Sequence, residues 1–206
     1  FFFNDGICIF TPALNYQSGF FFNHTLPTSL ERKKMKIVLA QLNYHIGNFE
    51  SNVSKIKDAI SKAKKAKADL VVFAELAICG YPPRDFLEFK DFIKHCENAV
   101  RSIAKECIGI AAIVGSPSIN PQKAGKNLFN SAYFLNDGKV ISIHHKALLP
   151  NYDVFDEHRY FEPAKKLSII KYKEVKIALT ICEDIWDIGD DPMYTFWPME
   201  ELIRHK

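Results

Sequence analysis

The chain lacks any apolar run near the ~18 residues that a membrane-spanning helix needs. Its hydrophobic residues, 48% of the total, are therefore expected in a folded core. Charge of one sign is scarce as well. The 27 Lys and Arg nearly balance the 24 Asp and Glu, for a formal net charge of +3, and no basic block is interleaved with aromatics, which argues against nucleic acid as a partner. The one basic run, "KAKKAKAD", reads as the solvated face and end of a helix. Cysteine is sparse and odd in number, at five, without the paired spacing of metal ligands. No signal peptide is legible at the start, where Asn4, Asp5 and Gly6 break the apolar run. These features exclude a disulfide framework and favour a reducing, cytoplasmic setting without a membrane partner. No internal repeat is apparent.

What is present begins late. Residues 1–34 hold two Phe triplets and scattered Gly, Pro and Asn, with no helical or strand period. They are expected to be an atypical extension outside the fold. The first methionine is Met35, and regular patterning follows at once, so residues 35–206 are taken as one domain large enough for a sizeable core. "KIVLAQL" reads as a strand. Phe49, Val53, Ile56, Ile60 and Ala63 then recur at helical spacing. "ADLVVFA" is continuously apolar, as a strand covered on both faces should be. Phe86, Phe89, Ile93, Cys96, Val100, Ile103 and Cys107 mark a second amphipathic helix, which makes Cys96 and Cys107 core thiols. Strands "IGIAAIVGS", "NLFNSAYFL", "KVISIHH", "KLSIIKY" and "VKIALTIC" follow, with Asn136-Asp137-Gly138 as a turn signal. A helix is expected near the end, in "PMYTFWPMEELIRHK". Alternating strands and helices that run into a meander predict an α/β layered fold with mixed sheets.

Reactive side chains in α/β sheets collect at the carboxyl ends of strands, and three ends carry unlike ones. "ADLVVFAE" ends on Glu75, "KVISIHHK" on Lys146 and "VKIALTIC" on Cys182. Alternation puts Val175, Ile177, Leu179 and Ile181 on one face of the last strand, and Lys176, Ala178, Thr180 and Cys182 on the other. Singly, each residue has an ordinary reading: an inert thiol, a turn-capping carboxylate, a solvated lysine. Together they supply what acyl transfer by a thiol needs. Glu183 and Asp184 hold the Cys182 thiol protonated, so it needs a base, for which Glu75 is the candidate. Attack on a carbonyl creates an oxyanion, which the Lys146 cation could stabilise. Cys79, in the loop after Glu75, is the rival nucleophile. A metal site on His144 and His145 is disfavoured, because adjacent strand residues point to opposite faces.

The segments "FAELAICGYPPRD", "HHKALLPNYDVFDEHRYFEP" and "ICEDIWD" resemble the nitrilase (carbon–nitrogen hydrolase) superfamily, and within it the glutaminase domains of glutamine-dependent NAD synthetases. The resemblance runs from Met35 to the end. It implies an α-β-β-α sandwich, here incomplete at the C-terminus, with Glu75 as general base, Lys146 as oxyanion stabiliser and Cys182 as the nucleophile that forms a glutamyl thioester. It places Tyr81, Tyr152 and Phe155 as aromatic contacts to glutamine, with Glu157 and Glu183 as acidic contacts, Glu183 toward the α-ammonium. No cofactor or metal is implied for the amide hydrolysis. ATP and Mg are implied only for a C-terminal synthetase domain, absent from this chain, which would use the ammonia to convert nicotinic acid adenine dinucleotide to NAD. A homo-oligomer is the implied assembly. The alternatives left open are a stand-alone amidase for another small amide and an inactive truncated fragment.

Overall fold

The structure, a computed structural model, describes residues 2–3, 6–9, 35–186 and 194–204. Among them are the strands β1 (Phe2–Phe3), β2 (Gly6–Ile9), β3 (Ile37–Leu39), β4 (Leu70–Val72), β5 (Ala111–Ile119), β6 (Leu128–Asn136), β7 (Lys139–His145), β8 (Ile169–Tyr172) and β9 (Val175–Leu179). The helices are α1 (Phe49–Lys65), α2 (Lys90–Ala104), α3 (Glu157–Tyr160) and α4 (Pro198–Ile203). One sheet runs β3-β4-β5-β6-β7, parallel through its first three strands and antiparallel thereafter. The other runs β1-β2-β9-β8, with β2 parallel and β8 antiparallel to β9.

The layers follow from alternation along the strands. Val71 and Phe73 of the β4 segment, with Ala112 and Val114 of β5, pack against Ile56 and Ile60 of α1 and Ile93, Val100 and Ile103 of α2. Their neighbours Leu70, Val72, Ala111 and Ile113 turn the other way and meet Ile170, Ile177, Leu179 and Ile181 of the second sheet. Both faces of β4 and of the first half of β5 are thus covered, which is why Leu70–Val72 and residues 111–114 are apolar without a break. Three layers of the expected sandwich, α-β-β, are seen among the described residues. No helix among them is long and apolar enough to cross a membrane.

Local chemistry explains the boundaries. Asn48 caps α1 by accepting the Ser51 amide at 3.1 Å, and three lysines in the last turn oppose the helix dipole. The β6–β7 hairpin turns on Asp137 and Gly138, both at positive φ (49° and 76°), as a type I′ turn requires. The second helix differs from expectation. It starts only at Lys90, after a 3-10 turn over Arg84–Glu88, and Phe86 and Phe89 are exposed rather than on its buried stripe. Cys96 and Cys107 are fully buried, as expected. Within residues 1–34, read above as lacking any strand period, β1 and β2 are the described parts, and β2 pairs with β9 from Gly6↔Lys176 to Ile9↔Leu179. The remainder of that segment lies outside the described residues.

Candidate active site

Glu75, Lys146 and Cys182 meet where three strands end, and the backbone around each is locked. Glu75 stands in the turn after β4. Gly115 of β5 lies beneath that turn, where an added Cβ would sit 2.4 Å from the Leu76 nitrogen, so only glycine permits the approach. The buried Asn52 amide donates to the Ile78 and His45 carbonyls at 3.1 and 2.8 Å, tying the same turn to α1. Lys146 follows β7 directly, and its backbone N–H donates to the Asn130 carbonyl at 2.8 Å. Asp184 then joins two strand ends. One carboxylate oxygen accepts the amides of Ala147 and Leu148, both at 2.9 Å, and the other accepts that of Ile181 at 3.0 Å.

Cys182 is not where alternation placed it. The strand stops at Leu179, and Cys182 opens a 3-10 turn over Cys182–Ile185 with φ of 46°. The left-handed residue redirects the chain, and the half-buried thiol packs against the inter-sheet cluster, the bulky side, not with the small and polar residues. A non-glycine residue held there carries strain on the order of 1 kcal/mol or more, which the surrounding structure must hold in place.

The polar core of the site is one ammonium between two carboxylates. Lys146, with no exposed surface, donates to Glu75 Oε1 at 2.8 Å and to both oxygens of Glu157 at 2.8 and 2.9 Å. The Asn130 amide nitrogen donates to Glu75 Oε1 at 2.6 Å and to Glu157 Oε2 at 3.2 Å. The Tyr81 hydroxyl donates to Glu157 Oε1 at 2.8 Å. Both Glu157 oxygens are thereby engaged, so Glu157 holds Lys146 rather than lying free for a substrate. Glu75 Oε2 is buried and unpartnered, as are Asn130 Oδ1, Glu183 Oε2 and the Tyr194 hydroxyl. Orphaned buried polar atoms are costly. Those of Glu75, Glu183 and Tyr194 lie around the Cys182 thiol and mark where a ligand's hydrogen bonds belong.

The charges explain one another. Burial pushes the Glu75 carboxyl up to about 7, against the pull of Lys146, and Glu157 pushes it further. Lys146 is lowered by its own burial, but Glu75 and Glu157 outweigh that and hold it well above its ordinary value. The Cys182 thiol is pushed up to about 12, by burial first and then by Glu75, with Glu183 and Glu157 adding to this and Lys146 opposing it. Asp184 spends both carboxylate oxygens on backbone amides, whereas Glu183 of the adjacent acidic pair raises the thiol.

Beside this core stands an aromatic wall. Phe155 lies 6.4 Å from the Tyr81 ring and 5.7 Å from that of Tyr152. Tyr152 donates its hydroxyl to Glu183 Oε1, which leaves Glu183 Oε2 free. Tyr81, Phe155 and Glu157 line one pocket together with Pro82, Arg84 and Tyr160. All eight residues singled out from the sequence therefore belong to one site. Asn130, Asp184 and Tyr194 were missed, since a strand asparagine, the second acid of a pair and a late tyrosine carry no motif of their own. The rival Cys79 is fully buried, and its thiol lies 3.7 and 3.6 Å from the Leu76 and Gly80 carbonyls. His144 pairs with Ser142 and Ser168, whereas His145 pairs with Ser131 and stacks on Phe129. No group of metal-ligating side chains occurs among the described residues.

The family model for carbon–nitrogen hydrolases matches residues 36–187. The glutamine-dependent NAD(+) synthetase of Synechocystis sp. is 44% identical over 174 residues, covering 81% of this chain and 31% of that protein. A solved structure of glutamine-dependent NAD+ synthetase from Acinetobacter baumannii, in complex with adenosine diphosphate, is similar at 38% identity and a TM-score of 0.68, over 74% of this chain and 28% of the other. An amidase from Nesterenkonia sp., 22% identical with a TM-score of 0.63 over 73% of this chain and 56% of its own, shares the fold. The chain spans less than a third of the length of these synthetases.

Proposed function

The chain belongs to the carbon–nitrogen hydrolase family, and from that membership we propose that it hydrolyses the side-chain amide of glutamine through a thioester on Cys182. One observation carries this reading. A buried ammonium is held between two carboxylates while one oxygen of Glu75 stays unpartnered, and the charge of Glu75 acts on a thiol on a strained turn.

In the proposed reaction Cys182 Sγ attacks the amide carbon as Glu75 Oε2 takes the thiol proton. Moving a proton from a thiol near 12 to a carboxylate near 7 is uphill by at most roughly 7 kcal/mol. That is under half of the ~15–17 kcal/mol barrier of an ordinary enzyme. The transfer also neutralises Glu75, the charge that most disfavours the thiolate after burial itself. Lys146 donates to three carboxylate oxygens at rest; as the oxyanion forms, the two Glu157 oxygens can share one proton, which turns another toward it. Glu75 returns its proton to the departing nitrogen, and the C–N bond breaks to release ammonia. It then deprotonates the water that cleaves the thioester, so that glutamate leaves and the thiol is restored. The free Glu183 Oε2 suits an α-ammonium, and Tyr81, Tyr152 and Phe155 would flank the aliphatic chain of the substrate.

No cofactor enters this cycle. In a longer protein the ammonia would serve an ATP- and Mg-dependent amidation of nicotinic acid adenine dinucleotide to NAD, in a cytoplasmic homo-oligomer. Two measurements test the reading. Ammonia release should be faster from glutamine than from primary amides lacking an α-ammonium, with the acyl group trapped on Cys182 by acid quench; equal rates would favour a general amidase. In the longer protein Cys182→Ala should lose glutamine-dependent NAD synthesis and keep the ammonium-dependent reaction.

A further inference from the structure

Asn130 is buried, 1% exposed, in the middle of the acidic cluster, and its orientation is dictated by its neighbours. Glu75 Oε1 and Glu157 Oε2 can only accept hydrogen bonds when ionised, so the amide nitrogen must face them and the amide oxygen must face away. That oxygen is left buried without a partner. The arrangement gives up one good hydrogen bond in order to make two charge-assisted ones. Asn130 also fixes Lys146 from its backbone, through the Lys146 N–H donated to its carbonyl at 2.8 Å. One residue therefore holds all three members of the ion cluster.

We propose that Asn130 is a positioning residue that makes Glu75 a competent base: it claims Oε1 together with Lys146, which leaves Oε2 as the oxygen presented to the thiol. This rests on the glutaminase reading for its catalytic consequence, but not for its effect on Glu75. Of the groups that face Glu75, Lys146 and Asn130 favour the ionised form, whereas burial and Glu157 oppose it. Among the described residues, Lys146 and Asn130 are the donors to Oε1. Removing the amide should therefore raise the pH at which the base becomes available.

The test is the acid limb of the kcat/KM profile for glutamine in the wild type, Asn130→Ala and the isosteric Asn130→Asp. Loss of a hydrogen bond to a charged group corresponds to a rise on the order of one pH unit in Asn130→Ala. Asn130→Asp keeps the shape and substitutes a like charge for a donor, so its limb should lie higher still. A residue that merely fills space would lower kcat without moving the limb. The same midpoint is read without turnover, from the Glu75-dependent step in denaturant stability against pH, taken as each protein minus its Glu75→Gln counterpart. A step that moves up in a protein unable to hydrolyse glutamine keeps the assignment and sinks the glutaminase reading. Hydrolysis with both the limb and the step unmoved overturns the assignment of Asn130. If Asn130→Ala does not fold, Asn130→Asp decides alone by the same two readouts.

Discussion

Replacing Glu75, the proposed base, with its neutral isostere should make the protein more stable relative to the wild type as pH rises. The folded carboxyl sits near 7, against 4.5 for the ordinary group, because it is fully buried and faces Glu157. Between those values the native state holds a proton that the unfolded state has released. Stability therefore falls with rising pH across this window. The window corresponds to roughly 3 kcal/mol, at about 1.4 kcal/mol per pH unit. Glu75→Gln retains an acceptor for Lys146 but cannot ionise, so it should lack that slope. The assay is urea unfolding of both proteins at intervals from pH 4.5 to 8, comparing midpoints at constant m. Asp184, raised to about 6 mainly by burial, and His144, lowered to about 4 mainly by burial, also titrate in or near this range. They do so in both proteins and drop out of the difference. The variant should gain about 3 kcal/mol on the wild type from one end of the range to the other. Parallel curves, with a difference flat to within about 0.5 kcal/mol, would mean that Glu75 ionises like a surface carboxylate, and the account of the site's charges would be wrong.

Lys146→Met should cost about 3–5 kcal/mol at pH 8, because it leaves two buried carboxylates facing each other. The loss should shrink toward pH 5 as Glu75 takes up its proton, and the shift in urea midpoint with pH measures this. At position 182 the usual preference for alanine over glycine should reverse: with φ at 46°, Cys182→Gly should be more stable than Cys182→Ala by about 0.5–1 kcal/mol, read from thermal or chemical melts of the two. Alkylation of Cys182 by iodoacetamide should still rise about tenfold per pH unit above pH 9, where an ordinary thiol of pKa near 8.5 levels off. A plateau below pH 9 would contradict a thiol held near 12.

Much of this could be read along the chain, and the reason differs by element. The α1 stripe and the apolar β4 and β5 were legible because burial on one or both faces imposes a period of 3.6 residues, or none at all. The hairpin at Asp137-Gly138 was legible because positive φ selects those residues. Phe86 and Phe89 misled: they continue the helical spacing backwards, yet Pro82 and Pro83 precede them and the chain makes a 3-10 turn before the helix begins. Cys182 misled in orientation alone. Alternation is a rule for extended backbone, and the strand had ended three residues earlier.

The sequence by itself determined an α/β layered fold with mixed sheets, the three reactive side chains and the strand ends that carry them, since each depends on local pattern and on residue type. Only the tertiary structure decided how those groups are charged and what they touch. Glu157 became a holder of Lys146, Asp184 a clasp between two strand ends, and Asn130 the donor shared by two carboxylates. Several of these contacts bridge long stretches of chain: 27 positions between Asn130 and Glu157, 37 between Ala147 and Asp184, and 55 between Glu75 and Asn130. Ionisation and hydrogen bonding depend on burial and on what lies within about 3 Å, and no local pattern records either.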